Sequence, residues 1–147
     1  MQLTVAEICS TTRQQESCKG VLEGDPRTIT ATLPQLSLIS IELTGTQANL
    51  NIRHFSEFKT DDPKLKQGLN ECVALYGGIK DNISQAFRRS EPGDFKGSGE
   101  LVHRSKKLAE ECTAYIPHLL ELAEPTRAMV LKCDASIAVN QYIAQRK

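Results

Sequence analysis

The chain has 147 residues, which is the length of one ordinary domain. Its 18 basic side chains (Lys and Arg) equal its 18 acidic ones (Asp and Glu), which argues against binding to nucleic acids or anionic membranes, since both attract excess positive charge. Apolar residues make up 39% of the chain, enough for a folded core, but no apolar run approaches the roughly 18 residues of a membrane span.

The first segment, residues 1–26, is predicted to form a helical hairpin. Cys9 and Cys18 flank a polar stretch, residues 14–16, that is typical of a turn between two short helices. Asp25-Pro26 then separates this hairpin from the rest of the chain. The alternation of apolar and polar residues over 28–32 is too short for a β-strand.

The next two elements are long amphipathic helices. Apolar residues recur at threes, fours and sevens over residues 33–58, which predicts the first helix; its apolar positions include Leu36, Ile39, Leu43, Leu50, Phe55 and Phe58. A second helix begins after Asp62, a capping residue, and ends near Ser90. Its apolar seam is Leu65, Leu69, Cys72, Tyr76, Ile79, Ile83 and Ala86. Gly77-Gly78 lies inside this helix and predicts a kink or a close approach to the backbone.

Two further helices complete the predicted fold. Leu101, Leu108, Cys112, Tyr115 and Leu119 form the apolar stripe of one, which Pro117 bends or ends. Pro125 marks the start of the last helix, whose stripe is Ala128, Leu131, Ala135, Ala138 and Tyr142. The sequence therefore predicts an all-α fold in a single domain over 1–147. The hairpin of residues 1–26 precedes an up-down-up-down four-helix bundle over 27–147.

The five cysteines contain no zinc-binding spacing, so we expect disulfides rather than a metal. Two bridges among five cysteines allow 15 arrangements, which are five choices of the free thiol times three pairings. A Cys9–Cys18 bridge would close the hairpin, and Cys72 and Cys112 lie on apolar stripes that face a common core, which would leave Cys133 free.

Disulfides indicate an oxidising compartment, and Asn82-Ile83-Ser84 is a candidate glycosylation site that fits secretion. Residues 1–20 lack the apolar core of a signal peptide, so we expect the signal peptide of a secreted protein to be absent from this chain.

No catalytic constellation is found. His54, His103 and His118 lie in different segments, and Glu100 and His103 form one isolated Glu-x-x-His pair where a di-metal bundle needs two. We therefore predict a protein that is not an enzyme and has no cofactor.

Several short sequence motifs, taken in their order along the chain, resemble those of the plant pectin methylesterase inhibitor and invertase inhibitor family. They are Glu7-Ile8-Cys9, Cys18, Gly24-Asp25-Pro26-Arg27, Asp62-Pro63-Lys64-Leu65-Lys66, Tyr76 and Asp81 after Cys72, Gly93-Asp94 before Cys112, and Cys133-Asp134. The resemblance covers nearly the whole chain. It implies a four-helix bundle with an N-terminal hairpin, with bridges Cys9–Cys18 and Cys72–Cys112 and an unpaired Cys133.

The resemblance also implies inhibition without chemistry. Members are secreted plant proteins that occupy the active-site cleft of a carbohydrate-active enzyme, in the cell wall or, alternatively, the vacuole. The Pro-Lys-Phe motif of invertase inhibitors corresponds to Phe95-Lys96-Gly97 in this chain, where only the lysine is the same. Glu111 precedes Cys112 as in invertase inhibitors, whereas the esterase-type Tyr-Ala-Asp-Ala word is replaced at 76–79, with Asp81 remaining.

These departures favour a plant acid invertase as the partner over a pectin methylesterase. A third alternative is a non-inhibitory pollen protein of the same fold, of the kind known as allergens. We expect a monomer or weak dimer. The predicted interface residues are Lys80, Asp81, Asp94, Phe95, Lys96 and Glu111.

Overall fold

In the computed structural model, every regular element is a helix. The structure describes residues 2–146, and the side chains of all of these except residues 2, 3 and 120. In chain order the elements are α1 (Gln2–Cys9), α2 (Gln15–Glu23), a 3-10 helix (Pro26–Thr30), α3 (Leu33–Glu57), α4 (Pro63–Ser90), α5 (Phe95–Cys112) and α6 (Leu120–Gln145). The predicted all-α class is confirmed. Among the described residues, no helix combines the length and the apolar character that a membrane span needs.

Helices α3 to α6 form an antiparallel bundle. Each packs on its neighbours in the order α3, α4, α5, α6, and α6 returns to α3. Contacts near both ends of the helices show their directions. Between α3 and α6, Ser37 hydrogen-bonds to Asn140 and Asn51 to the carbonyl of Pro125; between α4 and α5, Cys72 is bridged to Cys112 and Ser98 hydrogen-bonds to the carbonyl of Ala86. In each case the residue numbers rise along one helix as they fall along the other, so the two helices are antiparallel. This is the up-down-up-down order that the sequence predicts.

The long helices begin where side chains can cap their free amides. Thr32 and Gln35 form a reciprocal capping box, with Gln35 N–H donating to Thr32 Oγ1 over 3.3 Å and Thr32 N–H donating to Gln35 Oε1 over 2.9 Å. Asp62 Oδ1 accepts from the N–H of Lys64 over 3.0 Å, which confirms the predicted cap of α4.

The predicted ends of the last two helices are wrong. Helix α5 stops at Cys112, so Tyr115 and Leu119 leave its stripe and are 44% and 51% exposed. Helix α6 starts at Leu120, and Pro125 lies inside it. Proline cannot donate a hydrogen bond to the carbonyl four residues earlier, that of Glu121.

A histidine from α3 replaces the hydrogen bond that Pro125 cannot make. Its Nε2 atom, on His54, lies 2.7 Å from the carbonyl oxygen of Glu121 and donates to it. Asn51 Nδ2 also donates to the carbonyl of Pro125 over 2.8 Å. The proline is therefore tolerated because α3 satisfies the carbonyl that it leaves without a partner.

The core has two parts. The larger one lies between the four long helices and contains most of the predicted seam of α4, including Leu69, Cys72, Tyr76, Ile79, Ile83 and Ala86. The smaller one joins the hairpin to α3 and α6, and its members include Val5, Ile8, Leu22, Leu36, Ile39, Phe95 and Val139. Leu50, which the periodicity predicts on the apolar stripe of α3, is 49% exposed.

A band of buried polar side chains crosses the bundle and was not predicted. Ser37 Oγ donates to Asn140 Oδ1 over 2.6 Å, and the hydroxyls of Ser90 and Ser98 lie 2.7 Å apart, with Ser37 and Ser90 separated by 2.9 Å. These residues come from α3, α6, α4 and α5, so the band links all four helices. Such satisfied networks favour one register of packing over others.

Both disulfides have the pairing implied by the family resemblance. Cys9–Cys18 joins α1 to α2, and Cys72–Cys112 joins α4 to the end of α5. The hairpin also contacts α6 through a hydrogen bond from Tyr142 Oη to Glu7 Oε2 of 3.0 Å. The predicted boundary between the hairpin (1–26) and the bundle (27–147) stays a prediction. The first residue of the hairpin range, Met1, and the last residue of the bundle range, Lys147, lie outside the described residues.

Cys133 is the free cysteine, and it is fully buried in the larger core. Burial raises the pKa of its thiol, so the reactive thiolate is scarce at neutral pH. We expect a thiol reagent to modify almost nothing in the native protein, one group per chain after denaturation, and five after denaturation and reduction. Rapid modification of the folded protein would contradict the placement of Cys133.

Candidate functional site

The turn between α4 and α5 is held by its own side chains. Gly93 has a φ of 103°, a left-handed conformation that favours glycine. Asp94 then caps α5, accepting from the N–H of Gly97 over 2.9 Å, and its carboxylate pairs with Arg89 at 3.1 Å. The start of α5 is therefore a fixed structure rather than a free loop.

Of the three predicted contact residues at this turn, one is buried and two are exposed. Phe95 is only 7% exposed and packs in the smaller core. Lys96, the next residue, is exposed, as is Asp94. The structure thus places the lysine where a partner can reach it and places most of the Phe95 ring inside, where it anchors the helix start.

Helix α5 presents one exposed charged stripe. Lys96, Glu100, Lys107 and Glu111 are spaced by four, seven and four residues, which places them on one face, and all are exposed. The stripe is roughly 22 Å long by the helical rise of about 1.5 Å per residue. Glu111 and Lys96, predicted for separate reasons, therefore lie on the same face.

The other predicted residues lie on the neighbouring helix. Lys80 and Asp81 are exposed on α4, which runs antiparallel beside α5. Asn82 is half-buried within the same helix, and Ile83 beside it belongs to the core. Its glycosylation stays a prediction. The structure thus gathers the charged candidates on the outer surfaces of α4 and α5.

A groove between α5 and α6, which the sequence analysis missed, lies beside the α5 stripe. We call it the α5–α6 groove, and it has a volume of about 750 Å³. From α5 it is lined by Phe95, Lys96, Gly99, Glu100, His103, Arg104 and Lys107, and from α6 by Ile137, Gln141, Ala144 and Gln145. The basic residues spaced along α5 were visible in the sequence, but the opposite wall depends on how α6 packs.

An ion pair joins the two walls just beyond the groove. Lys106 Nζ lies 2.7 Å from Asp134 Oδ1, and this contact raises the pKa of the lysine. Asp134 precedes Ile137 by one helical turn on α6. Across the described residues, no group of three or more histidine, cysteine, aspartate or glutamate side chains is arranged to hold a metal ion.

Comparison with known proteins points to one family. A family model described as plant invertase/pectin methylesterase inhibitor matches residues 4–113. A pectinesterase inhibitor of Actinidia deliciosa is 30% identical over 93 residues, which are 62% of this chain and 50% of that protein. A protein of Platanus acerifolia named "Putative invertase inhibitor" is 34% identical over 87 residues, 53% of this chain and 45% of that protein. The matches span about half the length of these relatives.

Solved structures share the fold. The crystal structure of a mutant form of a pectin methylesterase inhibitor from Arabidopsis superposes with a TM-score of 0.81 at 19% identity, covering 93% of this chain and 95% of that one. A pectin methylesterase inhibitor from Arabidopsis thaliana gives a TM-score of 0.70 at 18% identity, with 96% of each chain covered. At this identity the likeness concerns the bundle and its hairpin.

Proposed function

Because the chain belongs to the plant invertase/pectin methylesterase inhibitor family, whose members are enzyme inhibitors, we propose that it inhibits a plant carbohydrate-active enzyme by occupying its active-site cleft. The inhibitor itself performs no catalysis in this proposal. Its rigid antiparallel bundle suits the role, since a preorganised surface loses little conformational entropy on binding.

A plant acid invertase is the first candidate target. The observation that carries it is the exposed Lys96 beside a buried Phe95, at a helix start that Asp94 caps and Arg89 holds. Glycoside hydrolases cleave with a pair of carboxyl groups. A lysine held on a fixed helix start can reach such a pair and form charge-assisted hydrogen bonds in the cleft.

A pectin methylesterase is the second candidate. The 30% identity to a pectinesterase inhibitor supports it, as do the exposed Lys80 and Asp81 of α4. In this case the broad outer surface of α4 and α5 carries the binding, and Lys96 lies at its border. A non-inhibitory protein of the same fold is the remaining alternative, and absence of inhibition of either enzyme would support it.

The Lys96→Ala variant tests the assignment to invertase. We expect it to weaken inhibition of a plant acid invertase by about tenfold or more, the usual effect of removing a central charged anchor. Lys64→Ala is the matched control, because Lys64 is also exposed near the start of a long helix, and its inhibition should stay within about twofold.

The outcomes separate the two targets. If Lys96→Ala, Lys64→Ala and the unchanged protein inhibit invertase equally well, Lys96 is not part of the interface. Inhibition of pectin methylesterase alone, weakened by Asp81→Asn and not by Lys96→Ala, would favour the second candidate.

We also propose that the protein is secreted to the cell wall, with the vacuole as the alternative. The two disulfides support an oxidising compartment. A monomer or weak dimer is the proposed state, because the free thiol of Cys133 is buried and cannot link two chains in the folded protein.

A further inference from the structure

The α5–α6 groove combines an apolar floor with a charged rim. Gly99 and Phe95 are buried, and Ile137 and Ala144 are half-buried, so the floor offers carbon atoms to a ligand. Its rim is made of exposed polar side chains: Lys96, Glu100, His103, Arg104, Lys107, Gln141 and Gln145. This composition suits a ligand that has both apolar faces and polar edges.

The rim is positively charged although the chain as a whole is neutral. Lys96, Arg104 and Lys107 face one carboxylate, that of Glu100. Within residues 2–146, these three cations form no ion pair, which is true of most basic side chains of the chain; what sets them apart is that they line one groove. The unpaired charges therefore create a local positive potential that an anionic ligand would satisfy.

The charges are arranged in a line. Lys96 and Lys107 are separated by eleven positions on one helix, which corresponds to roughly 16 Å at about 1.5 Å per residue. A single small anion could contact the neighbouring Arg104 and Lys107 but would not also reach Lys96, whereas an extended chain with repeated negative charges would contact all three. Gln141 and Gln145 on the opposite wall supply amide groups that can donate to and accept from hydroxyls.

From this arrangement we infer that the α5–α6 groove binds a linear polysaccharide with a carboxylate on its successive sugar rings. The cations pair with the carboxylates, the glutamine amides bind ring hydroxyls, and the apolar floor packs on the C–H faces of the rings. Single-stranded nucleic acid fits less well, because its bases need exposed aromatic side chains for stacking and the phenyl ring of Phe95 is buried. The inference goes beyond enzyme inhibition and does not depend on it.

The test measures binding of the full chain to oligomers of galacturonic acid by isothermal titration calorimetry, with no enzyme present. The comparison ligand is the fully methyl-esterified oligomer of the same length, which keeps the sugar and loses the charge. We expect the acidic oligomer to bind, the esterified one to bind at least about tenfold more weakly, and the acidic complex to weaken as salt is added.

A double variant locates the site. Arg104→Gln/Lys107→Gln should weaken binding of the acidic oligomer by about tenfold, as expected for the loss of two exposed charged contacts. Arg53→Gln/Lys64→Gln removes the same residue types from exposed positions on α3 and α4, and it should change binding by less than about twofold. Circular dichroism confirms that both variants remain folded.

Four results would overturn the inference: no binding of the acidic oligomer, equal binding of the esterified one, an equal loss in both double variants, or tighter binding of a sulfated glycan of equal charge density. The last two would identify a general attraction of polyanions rather than a site for carboxylates. Because the calorimetry contains no enzyme, failure here would leave the inhibition assays unaffected.

Discussion

Replacing both cysteines of the Cys72–Cys112 disulfide by alanine is expected to lower the free energy of unfolding by about 4 kcal/mol. The bridge closes a loop of 40 residues, so its loss greatly increases the conformational freedom of the unfolded chain. Both residues are fully buried between α4 and α5, so the helices also lose a fixed contact point. Urea unfolding under non-reducing conditions measures the change.

The hairpin disulfide is the matched comparison. Cys9–Cys18 closes a loop of only nine residues, and the same reasoning gives a loss of about 2.6 kcal/mol for Cys9→Ala/Cys18→Ala. The long-loop variant should therefore be the less stable of the two. An equal or larger loss on removing the short bridge would mean that the hairpin, rather than the α4–α5 link, is the more important constraint.

Two glycines of α4 are expected to respond in opposite directions to alanine. A Cβ at Gly68 would overlap the carbonyl oxygen of Tyr115, so Gly68→Ala must displace the backbone after α5. We expect a net destabilisation of about 2 kcal/mol or more, because the overlap outweighs the roughly 1 kcal/mol gain in helix propensity. At Gly77 a Cβ would meet nothing within 4 Å, so Gly77→Ala should stabilise by up to about 1 kcal/mol.

The midpoint of thermal unfolding distinguishes these variants. Gly68→Ala should unfold at a lower temperature than the parent protein and Gly77→Ala at a higher one. Stabilisation by both substitutions would show that the turn after α5 is not packed on α4 as described. Destabilisation by Gly77→Ala would contradict the open space around Gly77, because the added methyl group would then have to clash with a neighbouring atom.

Helix periodicity was sufficient to predict most of the fold. The sequence predicts the seam of α4 correctly because its apolar residues repeat at threes and fours, and the Asp62 cap marks the start of the helix. For Gly77-Gly78 the sequence predicts a kink or a close approach to the backbone. The close approach is observed at Gly78, where Leu108 packs nearby, within a helix that runs unbroken from Pro63 to Ser90.

The errors arose where tertiary contacts replace a local rule. The sequence predicts a helix start at Pro125 because proline breaks the hydrogen-bond ladder, but His54 from a distant part of the sequence restores the missing contact. The polar band around Asn140 was missed because serine and asparagine carry no apolar periodicity, although both types are buried here in hydrogen-bonded partnerships.

The candidate site was predictable in part for the same reason. Short sequence motifs identify Lys96 and Glu111 as candidates. Their position on one face of α5 follows from helical spacing alone. The burial of Phe95 was not predictable, because the core cluster to which it belongs is built from the hairpin, α3 and α6, which are distant in the sequence. The α5–α6 groove likewise depends on which face of α6 meets α5, and no local pattern contains that information.

We propose above that this protein inhibits a plant carbohydrate-active enzyme, and inhibition can be measured directly. The most direct measurement titrates one plant acid invertase and one plant pectin methylesterase with the protein at mildly acidic pH. We expect the activity of one of the two enzymes, with invertase as the first candidate, to fall to near zero as the inhibitor approaches equimolar amounts. Full activity of both enzymes at a large excess of folded, disulfide-intact protein would contradict it.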